Sequence, residues 1–142
     1  MRLATAALAL ICSGITLLTA GCDSASGADA TQAEVAAAAE AFAQRGPRDY
    51  TLRYELLCEC IGGATVTVRG GTVVDAEGPG AASALTVDDL FALALTVFED
   101  GRTGSVRLSD DEPRVPLQIN LDPELGLTDG NVFLNVTRFR VD

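Results

Sequence analysis

An α+β domain, with two helices packed on one face of a mostly antiparallel sheet, is what this sequence predicts. Three observations carry that expectation. Two segments with capping signals and helical apolar spacing begin near Thr31 and Leu85. Each is followed by short runs of alternating or β-branched residues, which gives the order α-β-β-β-α-β-β-β. A Gly70-Gly71 pair sits between two such runs and marks a tight hairpin, because both glycines accept positive φ. At 142 residues the chain has room for one domain.

Ahead of that domain lies an export segment. Met1-Arg2 is a short positive start, and residues 3–18 are apolar except for Thr5, Ser13, Gly14 and Thr16. This is the pattern of a secretory signal. It falls short of the roughly 20 apolar residues a helical span requires. Leu18-Thr19-Ala20-Gly21-Cys22 then places small side chains directly before a cysteine, and so resembles the lipobox of bacterial lipoproteins. The expected boundaries are residues 1–21 for the signal peptide, 22–30 for a flexible tether after a lipidated Cys22, and 31–142 for the domain. Acyl chains at about 0.8 kcal/mol per buried methylene would hold Cys22 in a bilayer. The expected location is therefore the cell envelope, on the outer face of a membrane.

The elements follow in order. Thr31 with Glu34 makes a capping box, Val35, Ala38, Ala39 and Phe42 form a thin apolar face, and Arg45-Gly46-Pro47 supplies a stop, with Gly46 as the cap. Residues 50–60 alternate, with Leu52, Tyr54, Leu56, Cys58 and Cys60 on one side and Thr51, Arg53, Glu55 and Glu59 on the other. Gly62-Gly63 reads as a turn, residues 64–69 as a second strand, and Thr72-Val73-Val74 as the hairpin partner. Residues 77–84 read as a loop. Thr86 with Asp89 caps the second helix, Leu85 and Leu90 suit a hydrophobic staple, and Val87, Leu90, Phe91, Ala94, Val97 and Phe98 form its broad apolar face, with Gly101 as the stop. The last strands are 105–108, 115–121 and 132–141. In the final one both parities carry apolar residues, so the pattern does not select a buried face.

Charge and composition narrow the function. The chain holds 20 Asp and Glu against 10 basic residues, all arginine, and loss of Arg2 with the signal would take the net charge from −10 to −11. Such a surface argues against nucleic acid. There is no histidine, which removes the usual general base, triad partner and zinc ligand. A serine–lysine dyad is excluded for want of lysine.

Of the four cysteines, Cys12 leaves with the signal and Cys22 takes lipid, so Cys58 and Cys60 remain. In an oxidising compartment a structural disulfide between them is the first expectation. Residues two apart on a strand sit near the upper limit of disulfide reach, so a bond would be strained and easily reduced. A redox-active or sensing pair and a pair of buried thiols are the alternatives. Asp122, Glu124, Asp129 and Asn131 gather oxygen ligands of the kind calcium takes, but their spacing is not that of an EF-hand, and these are also ordinary turn residues.

Several motifs together resemble a known family. They are Tyr50-Thr51-Leu52-Arg53-Tyr54 leading to Cys58-Glu59-Cys60, then Val66-Thr67-Val68-Arg69-Gly70-Gly71, Thr86-Val87-Asp88-Asp89-Leu90-Phe91, Pro116-Leu117-Gln118-Ile119-Asn120 and Val136-Thr137-Arg138-Phe139. The pattern resembles the bacterial lipoprotein family of unknown function DUF6174 across nearly all of the mature domain. Arg114-Val115-Pro116 departs from the Gly-Tyr-Pro usual there, and Glu59 replaces a more frequent aromatic. The resemblance implies the fold and an envelope location, and it carries no activity.

The expected function is thus a non-catalytic, lipid-anchored interaction module, monomeric and without cofactor. Its partners would be the lipid bilayer through acylated Cys22 and an envelope protein or cell-wall component. A thiol-redox protein using Cys58 and Cys60, and a calcium-stabilised module, are the alternatives.

Overall fold

The computed structural model describes residues 29–57, 62–99, 103–122 and 132–142. The first helix, α1, is Gln32–Arg45. It starts where the sequence predicts: the Thr31 hydroxyl accepts from the Glu34 N–H, and the Glu34 carboxylate accepts from the Thr31 N–H at 2.7 Å. Val35, Ala38 and Phe42 are its buried residues. It ends at the expected cap, Gly46. Gly46 is extended (φ −64°, ψ 158°) rather than left-handed, and its N–H donates to the Phe42 carbonyl. Glycine is required there for space instead, because a Cβ would lie 2.4 Å from that carbonyl oxygen.

Three strands follow: β1 (Tyr50–Leu57), β2 (Gly62–Arg69) and β3 (Thr72–Glu77). Gly70 and Gly71 have φ of 58° and 79°, as the tight hairpin demands. Gly62 and Gly63 are not a turn but the first residues of β2, paired with Leu56 and Glu55. β3 also runs on to Glu77, into the expected loop, and a 3-10 turn at Ala81–Ser83 follows.

The second helix, α2, is Val87–Thr96. Thr86 and Asp89 form its capping box, and Val87, Leu90, Phe91 and Ala94 are buried. Its predicted stop, Gly101, lies outside the described residues. The last strands are β4 (Thr103–Leu108), β5 (Pro116–Asp122) and β6 (Val132–Val141).

The six strands form one sheet in the order β3-β2-β1-β6-β5-β4, every neighbouring pair antiparallel. Both helices cover the same face. The core between the layers includes Leu52, Val66, Val68, Leu90, Val106, Ile119 and Leu134, all fully enclosed. Each such side chain contributes about 1.5–3 kcal/mol on burial. Phe42 knits the layers together, its ring 6.1 Å from Tyr50, 6.0 Å from Phe91 and 6.5 Å from Phe139.

Both tyrosines of β1 reach up to the start of α2. The Tyr54 hydroxyl accepts from the Leu85 N–H and the Tyr50 hydroxyl from the Val87 N–H, each at 3.1 Å. They bracket Thr86, so the strand holds the helix terminus whose N–H groups have no intrahelical partner.

A β-bulge resolves the mixed parity of the last strand. Tyr54 opposes Val136 while Arg53 opposes Arg138, so Thr137 is the extra residue. Leu134 and Val136 face the helices on one side of the bulge, and Phe139, 5.5 Å from Tyr50, faces them on the other.

Candidate functional site

The sequence-predicted site residues do not come together in the described structure. Cys22, Cys58, Cys60, Glu124, Asp129 and Asn131 lie outside the described residues. The backbone of Asp122 is described, ending β5 opposite Thr103. Among the described residues no group of three or more His, Cys, Asp or Glu side chains is placed to hold a metal ion. No helix among them is long and apolar enough to cross a membrane.

Two of the open clefts among the described residues exceed 500 Å³. One, of about 560 Å³, runs between α1 and the β4–β5 hairpin tip, lined by Ala37, Ala41, Arg45, Pro47 and Arg114. The other, of about 580 Å³, opens where β5 and β6 part, lined by Asp111, Leu117, Val136, Phe139 and Val141. Glu112 and Pro113 form a shared wall. Apart from the phenols of Tyr50 and Tyr54, which line neither cleft, no polar or charged side chain among those described is buried. Neither cleft therefore presents an enclosed acid or base.

The chemistry concentrates on the sheet face away from the helices. Alternation sends Leu52 and Tyr54 into the core, so Thr51, Arg53 and Glu55 point the other way. The cross-strand register then defines rows. Thr67, Thr51 and Arg140 form one, and Thr65, Arg53 and Arg138 the next. Asn135 and Gln118 continue the row of Glu55, with Arg107 beyond them on β4. Arg53, Arg69, Arg107, Arg138 and Arg140 thus share one face of a chain whose net charge is −10.

One carboxylate is already held on this face. Asp142 accepts from Arg69 at 2.7 Å, from Arg140 at 2.8 Å and from the Thr51 hydroxyl at 2.9 Å. The Arg69 bond above all, then Thr51, holds this carboxyl below its ordinary range. Arg107 donates to Gln118 at 3.0 Å. Arg53 and Arg138, directly opposite each other, have no ion pair and no side-chain hydrogen bond among the described residues.

The sequence pattern missed this cluster for a local reason. Arg138 and Arg140 share sequence parity with Leu134 and Val136, which are buried. Only the extra residue at Thr137 turns the arginines outward. The one available signal was Thr-Arg-Phe-Arg after an otherwise apolar parity, a change of pattern of the kind a bulge produces.

These features define a small α+β domain with one sheet face covered by two helices and the other uncovered among the described residues, polar and rich in arginine. The chain belongs to the family of unknown function DUF6174, whose model matches residues 34–141. No curated protein and no solved structure matches it.

Proposed function

We propose that this protein is an envelope lipoprotein, anchored by acylated Cys22, that works as a non-catalytic binding module through the open face of its sheet. The observation that carries this reading is the gathering of five arginines on that face in a strongly acidic chain. Arg53 and Arg138 among them are opposed like charges, which weaken a sheet, so their presence there is better accounted for by a partner than by stability. The signal pattern ending at Cys22, the small tethered domain and the lack of histidine support the same reading.

Immunoprecipitation of the full-length protein from its native membranes tests it. Thr65→Glu with Thr67→Glu places two negative charges on the open face without touching the core. The parent should recover a reproducible envelope partner, and both this variant and Cys22→Ser should lose it. Equal recovery with the charge-altered face would overturn the proposal.

A further inference from the structure

Resting on that docking-face reading, we infer that Arg53 and Arg138 form a carboxylate-binding row that takes an acidic segment of a partner protein. The two guanidinium groups belong to residues directly opposite on β1 and β6. Such positions bring Cβ atoms to roughly 4.5–5.5 Å, where like charges repel. The chain has 20 carboxylate side chains to offer, yet none among the described residues pairs with either arginine.

The same two strands show what such a row does when filled. One step along, Thr51 on β1 and Arg140 on β6 hold the Asp142 carboxylate together with Arg69. The Arg53–Arg138 row offers the same groups, two arginines and a threonine, with the threonine on β2 instead of β1. It has arginine on both central strands, and Thr65 stands opposite Arg53 on β2 to offer a hydroxyl. Arginine's planar fork suits a carboxylate, which two such forks can grip from either side.

The surroundings favour a sparse carboxylate ligand over a dense polyanion. Glu77 ends the row beyond Thr65, Asp75 ends the row of Thr67, and Glu55 lies along β1. These acids leave room for one or two incoming charges and repel a chain that carries one on every unit. The row also lies about 7 Å from its filled neighbour, two residues along a strand. An extended acidic peptide would therefore meet Arg53 and Arg138 with one side chain and lay its polar neighbours over Thr65 and Thr67.

The test uses the full-length protein and a fluorescently labelled sparse acidic peptide, Ser-Glu-Ser-Ser-Glu-Ser, followed by anisotropy at low and high salt, with Ser-Gln-Ser-Ser-Gln-Ser as the neutral control. The acidic peptide should bind and its neutral control should not, and added salt should weaken the complex. Arg53→Gln or Arg138→Gln should each weaken binding about three- to tenfold. The double variant should abolish it, and Arg53→Lys should keep part of it. Melting temperatures should hold or rise, because the opposed charges are relieved. The acidic peptide binding no better than its neutral control, or equally well to the double variant, would overturn the inference. So would binding of polyphosphate or phosphatidylglycerol vesicles in its place. If the peptide fails while the immunoprecipitated partner persists, this row falls and the docking face stands.

Discussion

Replacing Tyr50 by Phe should lower stability through one atom. The ring stays in place, with Phe42 at 6.1 Å and Phe139 at 5.5 Å. What goes is the hydroxyl that accepts from the Val87 N–H at 3.1 Å. Val87 is fully buried, so water has no access to that amide. An orphaned buried donor costs about 1–3 kcal/mol. For a domain of this size each kcal/mol moves the melting point by about 4 °C, so a fall of roughly 4–12 °C is expected. Urea unfolding at pH 7, followed by circular dichroism, should give a lower midpoint with an unchanged slope. Tyr54→Phe should act in the same direction through Leu85.

The pH dependence offers a second reading of the same contact. Burial raises the phenol of Tyr50 above its ordinary value of 10.0. A group whose folded pKa is raised stabilises below the unfolded value and loses that contribution as pH rises through the folded one. Tyr50→Phe should therefore flatten part of the alkaline loss of stability. A Tyr50→Phe protein as stable as the parent, with the slope unchanged, would refute the claim that β1 holds the start of α2.

Four other outcomes are expected. Gly46→Ala should destabilise by about 1–3 kcal/mol in a thermal melt, because its Cβ would meet the Phe42 carbonyl at 2.4 Å and the Phe42 ring at 2.9 Å. Leu90→Ala removes a fully buried side chain from α2 and should cost about 2–5 kcal/mol by urea titration. Glu34 and Asp142 have lowered pKa values, the first through the backbone N–H of Thr31 and the second through Arg69. Their stabilisation is present above the ordinary carboxylate range and is lost as pH falls through the folded values. With no histidine in the chain, the melting point should stay level from about pH 6 to 7 and drop in acid. Cys22→Ser should move the protein from the membrane pellet to the soluble fraction and remove acyl mass from its N-terminal peptide; an unchanged distribution would count against the anchor.

Much of the fold was legible because its signals are local. Thr31 with Glu34 and Thr86 with Asp89 each announce a helix within four residues, and both boxes form. Gly70-Gly71 likewise needs only its own backbone. The misreadings arise where partners decide. Gly62 and Gly63 resemble a turn alone, but they are strand residues because Leu56 and Glu55 stand opposite. Gly46 is the cap its sequence position suggests, but that glycine is needed there for space shows only in the close approach of Phe42. The arginine face was illegible for the same reason: one extra residue at Thr137 reverses the parity of everything after it, and only the β1 register reveals that. Of the anticipated site residues, only the backbone of Asp122 falls within the described structure.

Site-specific photocrosslinking in living cells asks most directly which surface meets the partner. A photoreactive residue placed at Thr65, beside Arg53, is compared with one at the exposed Ala36 on the outer side of α1. A discrete adduct from Thr65, with none from Ala36, is expected. Adducts from Ala36 with none from Thr65 would contradict a docking role for the open sheet.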